Sequence, residues 1–307
     1  MRLGRLAGVI ATALVMAVPV RGVDRQEPSA PVFKSGGITV PVHATVTDAS
    51  RRLVTDLPAE AFTVFDNGVA RPITVFERKV LPLSVLLVLD TSESMRESIG
   101  RLRDAARQFI AQMRPGDRVE IGAFNNSIRW VRPFTSDQRA LNRILDFLGP
   151  NRVDYGTALW PAIHEGLQEL NTIADGRKVL LIFSDGEGNI GRFTDHPILS
   201  RAIVDNVMIY AISMKTEYVI QGRRGKSVLD ARLPMLAEET GGGYFELDGA
   251  ANLAATFTRV SEELHHQYSF AIDAAELDGK THTIAVEVKG EGLTARARRS
   301  YLASHPK

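Results

Sequence analysis

The residues best suited to chemistry lie in three short motifs. Asp90-Thr91-Ser92-Glu93-Ser94 follows directly on an uninterrupted apolar run, Ser84 to Leu89. Gly156-Thr157-Ala158 precedes a stretch with helical spacing, and Ser184-Asp185-Gly186 follows a second apolar run, Val179 to Phe183. Taken together, Asp90, Ser92, Ser94, Thr157 and Asp185 offer two carboxylates and three hydroxyls, with no imidazole or thiolate among them. Such an oxygen-only set suits a hard divalent cation, Mg2+ or Mn2+ and also Ca2+. Two acids and three hydroxyls do not complete an octahedral shell, so water or an outside ligand has to supply the remainder.

Each motif also has a plain structural reading. An Asp-x-Ser after a strand serves as a helix N-cap, Thr157 can cap the helix it precedes, and Asp185-Gly186 can be a turn. The conjunction of all three at the ends of the right elements favours the metal. Other chemistries have less support. An aspartyl-phosphate nucleophile at Asp90 wants a second Asp where Ser92 stands. Glu187 offers an acid/base carboxylate but suits a solvated loop better. The seven histidines show no metal-ligand spacing, and His265-His266 reads as a favourable helix C-terminal charge or as exposed filler. There is no Gly-x-Ser-x-Gly and no phosphate-binding loop. Trp130 and Trp160 read as packing residues, although Trp160, three positions after Thr157, could rim the site. Residues 215–226, with Arg223-Arg224, read as a solvated loop, or in the sharper alternative as a partner-contacting insertion.

The elements that must position these motifs alternate. Ser84–Leu89, Val119–Phe124, Val179–Phe183 and Val207–Ile212 read as strands buried on both faces. Ile128–Phe134 reads as a strand joined to its predecessor at Asn125-Asn126. Ile99–Met113, Leu141–Leu148, Ala158–Leu170, a helix ending at Met235–Glu239 before Gly241-Gly242-Gly243, and Leu253–Leu264 carry helical spacing, with Tyr244–Leu247 a short strand. This pattern predicts a doubly wound, Rossmann-like α/β domain over residues 81–266. Ligands of such sheets bind at the carboxyl ends of strands where strand order reverses. A reversal between the strands ending at Asp90 and Asp185 would turn both carboxylates into one crevice.

The flanks have a different period. Ile38, Val40, Val42, Ala44 and Val46 alternate, and Phe62–Val64 and Ile73–Val75 flank an Asp66-Asn67-Gly68 turn. Alternation resumes at Tyr268, Phe270, Ile272, then at Ile284–Val288 and Leu293–Ala297. Neither flank holds enough strands to stand alone. Together they supply six or seven, which predicts one discontinuous immunoglobulin-like β-sandwich, residues 38–80 and 267–303, with the α/β domain inserted between its halves.

The N-terminus has the form of a secretory signal over residues 1–22: Arg2 and Arg5, an apolar stretch from Leu6 to Val20, and Gly22 as a cleavage point. That stretch is shorter than the ~20 residues of a membrane span, and no later one is apolar enough to cross. Residues 23–37, with Pro28, Pro31 and Gly36-Gly37, read as a linker. The expectation is an exported protein, periplasmic or secreted. The chain has no cysteine, which excludes disulfides and thiolate chemistry. A net charge of +1 without a basic stripe argues against nucleic-acid binding.

The Asp-x-Ser-x-Ser run, the Gly-Thr before a helix and the later Ser-Asp-Gly resemble the metal-ion-dependent adhesion site of von Willebrand factor A and integrin I domains, over about Leu81 to His266. The resemblance implies that Ser92 and Ser94 bind the cation directly. Thr157 would bind it directly in the liganded state and through water otherwise, with Asp90 and Asp185 acting mostly through water. An ion with no directly bound carboxylate stays electrophilic and draws an Asp or Glu from a partner. The flanks, with Phe62–Gly68 and Arg296–Tyr301, resemble exported acidobacterial proteins with a von Willebrand factor A-related domain. The implied function is cation-dependent protein binding in adhesion or scaffolding rather than catalysis. A hydrolase using the same ion, and a module whose ion only rigidifies loops, are the alternatives.

Overall fold

Leucine and β-branched runs without polar interruption are stable only in a sheet covered on both faces, and the centre of the chain forms one. The computed structural model describes residues 39–77, 81–149, 156–174, 176–186, 188, 190, 195–220, 223–274 and 276–304. The expected signal peptide (1–22) and linker (23–37) lie outside the described residues. Strands β1 (Thr39–Thr47), β2 (Phe62–Asp66), β3 (Val69–Arg71) and β4 (Ile73–Glu77) come first. Next are β5 (Leu83–Asp90), α1 (Ile99–Ala111), β6 (Arg118–Phe124), β7 (Ile128–Thr135), α2 (Gln138–Asp146) and α3 (Leu159–Asn171). Then follow β8 (Arg177–Ser184), α4 (Asp195–Val204), β9 (Val207–Met214), β10 (Glu217–Ile220), β11 (Arg223–Lys226) and α5 (Leu233–Thr240). The last elements are β12 (Tyr244–Leu247), α6 (Leu253–His265), β13 (Tyr268–Asp273), β14 (Thr281–Val288), β15 (Thr294–Ala297) and β16 (Ser300–Leu302).

Among the described residues, a six-stranded sheet runs in the order β12-β9-β8-β5-β6-β7, parallel except for β7. Period-two alternation divides its side chains between two cores. Leu83, Val85, Leu87 and Leu89 of β5 face α1, α2 and α6, where Phe109, Leu145 and Phe257 are buried. Leu86 and Val88 face α3, α4 and α5, with Leu167, Ile198 and Leu236. The glycine run after α5 performs the expected stop. Gly241 takes φ +80 as the helix C-cap, and a Cβ on Gly242 would lie 1.9 Å from the Ile209 carbonyl oxygen.

The two ends of the chain interleave in two antiparallel four-stranded sheets, β15-β1-β13-β4 and β16-β14-β2-β3. β1 pairs with β13 and β15, and β2 with β14, so each sheet needs both ends. Val42, Phe62, Val64, Tyr268, Phe270 and Ile284 share one apolar cluster. Among the described residues these sheets hold eight strands rather than the expected six or seven, because β3 and β16, three residues each, are too short to show alternation. Asn67 and Gly68, at φ 48 and 78, join β2 to β3 and not to the strand at Ile73, as the alternation had suggested. Pro72 ends β3, since it lacks a backbone donor, and β4 crosses to the other sheet.

The described residues belong to one compact unit, and a polar network ties the β module to the α/β domain. Arg296 donates to Glu263 and to the Tyr210 hydroxyl. Arg259 holds the other oxygen of Glu263, and Gln267 donates to Thr45. Two further expectations need correction. His265 is neither exposed nor filler: it is buried, 2.8 Å from an Asp117 carboxylate oxygen. Within the stretch 215–226, expected as a loop, Glu217–Ile220 and Arg223–Lys226 are strands, β10 and β11, paired antiparallel.

Candidate metal centre

Strands β5 and β8 lie side by side, with Leu89 opposite Phe183. From β5 the chain passes to β6 on one side and returns through β8 to the other, so the topological switch point lies between β5 and β8. Asp90 ends β5, and Asp185 follows the last residue of β8. The turn after Asp90 is pinned to the end of β6 by Thr91, whose amide and hydroxyl donate to the Phe124 carbonyl at 2.7 and 3.0 Å.

The side chains beyond these strand ends form one connected network. The Ser92 amide donates to Asp90 Oδ1 at 2.9 Å, and the Ser184 hydroxyl to Asp90 Oδ2 at 2.7 Å. Ser92 Oγ lies 3.1 Å from Ser94 Oγ, which donates to Asp185 Oδ1 at 3.0 Å. The other Asp185 oxygen accepts from the Thr216 hydroxyl at 2.6 Å. Four of the five expected residues are thus linked. The fifth, Thr157, is buried just before α3. Its carbonyl accepts from Ile190, while the next amide, of Ala158, donates to the Asn125 carbonyl, so it is held between the loops after β6 and β8. Gly156 has φ 150, and the Ile190 side chain fills the place of a Cβ, so this approach requires glycine.

The capping alternatives fare poorly. The 3-10 turn after Ser92 receives no capping bond from the Ser92 side chain. The residue at the N-cap of α3 is Ala158, not Thr157. Sequence reasoning missed Thr216, which lies just past β9, and gave Ser184 no role beyond its place in Ser-Asp-Gly. The only signal was a hydroxyl at a strand's carboxyl end.

Asp90 is fully buried. Burial first, and then the negative charge of Asp185, push its carboxyl up to about 7. Burial likewise raises Asp185, against the bonds from Thr216 and Ser94. Neither group makes an ion pair among the described residues. Among the described residues, two adjacent carboxylates are thus buried without a compensating positive charge, and a dication would supply it. The donors fit a hard ion: all are oxygens, mostly hydroxyls. A groove of about 590 Å³ opens beside the network, lined by Ser94, Glu97, Lys215, Thr216, Lys226 and Asp248. Trp160 does not rim the site. It is buried, donates to Asp230 at 2.7 Å and lies under the Arg232 guanidinium. Trp130 packs across β6 and donates to Glu165. Glu187 lies outside the described residues.

Residues 85–187 match the family model of the von Willebrand factor type A domain. The chain carries such a domain. An uncharacterised protein of Borreliella burgdorferi is 26% identical over 229 residues, 66% of this chain and 67% of that protein. Among solved structures, a von Willebrand factor type A protein from Catenulispora acidiphila has a TM-score of 0.53 at 12% identity, covering 88% of this chain and 75% of that one. An aerotolerance-related membrane protein from Bacteroides fragilis gives 0.51 at 18%, covering 59% of this chain and 98% of its own. Proximal thread matrix protein 1 from the mussel byssus, with a zinc-occupied MIDAS motif, gives 0.53 at 16%, covering 66% and 50%. At these identities the structures share the von Willebrand factor type A fold. Among the described residues, no helix is long and apolar enough to cross a membrane.

Proposed function

We propose that the von Willebrand factor type A domain is an exported, divalent-cation-dependent protein-binding module. In this reading Asp90, Ser92, Ser94, Thr157 and Asp185 hold Mg2+, or Mn2+ or Ca2+ in its place, and the ion receives an Asp or Glu of a protein partner. The observation that carries it is the pair of buried, unneutralised carboxylates, Asp90 and Asp185, joined through the Ser92–Ser94 hydroxyls at adjacent strand ends. When bound, the ion supplies an electrophilic coordination position. The protein's own residues orient the hydroxyls, exclude bulk water and balance the charge. The zinc-occupied MIDAS motif of the mussel byssus protein supports metal binding by a domain of this fold. The groove beside Ser94 and Thr216 provides room for the partner's flanking residues. Export rests on the signal-like segment 1–22. The eight flanking strands are read as an immunoglobulin-like sandwich, formed by residues 38–80 and 267–303, that mounts the domain.

No catalytic role is assigned, because in this reading all five proposed ligands are committed to the ion or to each other. The test begins with the metal alone. Calorimetric titration of Mg2+ and Mn2+ should give binding that Asp185→Ala abolishes while the variant keeps its circular dichroism. Unchanged affinity in a folded variant would remove the site. Partner capture from an envelope fraction should then require Mg2+ and be lost with chelator. It should fall strongly in Thr157→Ala and mildly in Thr157→Ser, whereas equal losses would mean that the hydroxyl plays no part.

A further inference from the structure

At the opposite ends of β8 and β9 from the candidate metal centre, where the β module meets the α/β domain, a small cavity is walled by cations. His43 of β1 and Arg298, between β15 and β16, reach it from the module. Arg177 and Lys178 of β8, Asn206 and Thr240 reach it from the domain. Its volume of about 20 Å³ holds one particle of water or halide size and is too small for a tetrahedral oxyanion. Among the described residues, no carboxylate lines it. Asn206 and Thr240 are its neutral polar groups. The Asn206 side-chain oxygen accepts from Arg298 at 2.6 Å, and the Thr240 hydroxyl donates to the Leu236 carbonyl at 2.8 Å.

The guanidinium bonds run to neutral acceptors only. Arg177 donates to the Leu264 carbonyl at 2.8 Å and to the Gln267 side-chain oxygen, and its buried Nε has no hydrogen-bond partner. Arg298 donates to Asn206 and to the carbonyls of Ser300 and Ile203. The nearby acids are engaged elsewhere. Asp117 accepts from His265, Leu83 and Arg114, and Glu239 pairs with Arg299. Burying a guanidinium without a counter-charge is costly. Burial correspondingly lowers Arg177 to about 10 and Arg298 to about 10. His43, bonded to Ser269 at 3.0 Å, is held neutral by burial and by both arginines.

We propose that this cavity is a halide site, occupied by chloride, in which one small anion bridges Arg177 of the α/β domain and Arg298 of the β module beside the neutral His43. The anion acts as an ionic staple between the two parts, because its ligands come from both chain ends and from the domain inserted between them. The cavity lies at the end of the sheet away from the candidate metal centre and shares none of its residues.

The experiment compares thermal unfolding of the full chain in sodium chloride and sodium gluconate at one ionic strength. A saturable rise in the midpoint with chloride is expected, about 3–6 °C at ten times Kd. His43→Glu places a carboxylate in the cavity and should unfold at the same temperature in both salts, whereas His43→Gln should keep the chloride response. Crystals grown in bromide should show one anomalous peak between His43, Arg177 and Arg298, a readout that depends on no variant folding. Equal midpoints for the wild type in the two salts, an undiminished response in folded His43→Glu, or no bromide peak in the cavity would each overturn the assignment and leave a water there.

Discussion

Removing the metal should leave a protein whose stability falls as pH rises, and Asp90→Asn should remove the largest part of that fall. Asp90 is ordinarily a carboxyl of 3.8 but stands at about 7 in the fold. The folded state therefore binds more protons than the unfolded state between these values, so stability declines with pH through that window and levels above it. The accumulated loss is on the order of 4 kcal/mol, taking about 1.4 kcal/mol for each tenfold change in the protonation equilibrium. Asp185 is raised as well and adds a slope of the same sign. His43 works the other way. As a base lowered below 6.5, it costs stability as pH falls through its unfolded value. That contribution is common to wild type and variant and cancels in their difference.

Asn at position 90 can still accept from the Ser92 amide, and its amide can donate to a reoriented Ser184 hydroxyl, so the fold has no reason to collapse. In chelator, Asp90→Asn should match the wild type near pH 4 and exceed it at pH 8. Mg2+ closes most of the gap at pH 8. At a hundred times Kd the wild type gains about 2.7 kcal/mol at pH 8. At pH 5 only about one molecule in a hundred has Asp90 ionised, so the same Mg2+ yields about 0.4 kcal/mol. The variant should gain nothing at either pH. Urea unfolding at pH 4, 5 and 8, with EDTA and with Mg2+, measures every quantity. A chelated wild type that outlasts Asp90→Asn at pH 8, or a variant that gains as much from Mg2+, would refute the reasoning that the two carboxylates are buried against their own repulsion to await a cation.

Thr216→Val removes the donor to Asp185 Oδ2 and should weaken Mg2+ binding about tenfold, on the scale of ~1–2 kcal/mol for one charged hydrogen bond, as read by calorimetry. Gly122→Ala would place a Cβ 2.2 Å from the Trp130 ring and should cost about 1–3 kcal/mol in urea unfolding through overpacking. Deleting residues 277–307 takes β14, β15 and β16 from their partners β1 and β2. Limited proteolysis should then cut within residues 39–77 while the α/β domain survives, and protection of 39–77 would mean that the first strands fold without the last.

The legible part of the fold lay where one physical demand dominated. The apolar runs at Ser84–Leu89 and Val179–Phe183 have no stable home except between two helical layers, so their place and the position of Asp90 and Asp185 at their ends followed from hydrophobicity alone. Helix α4 escaped because only Ile198 and Ala202 of its ten residues are core-buried, too few to mark a period. The β10–β11 hairpin escaped because its sequence mixes charge and glycine without alternation. His265 was misjudged for a related reason: a histidine at a helix end is ambiguous until the Asp117 carboxylate, 148 residues away in sequence, is seen beside it. Thr216 belongs to the same class. A threonine after a strand carries no sign of its role, and only the adjacency of β8 and β9 brings its hydroxyl to Asp185. Sequence periodicity reports how each segment meets solvent, whereas the second layer around a charged site is written in contacts between segments. That layer decides here whether the Asp185 carboxylate is aimed, which makes Thr216 the residue outside the motif most worth perturbing.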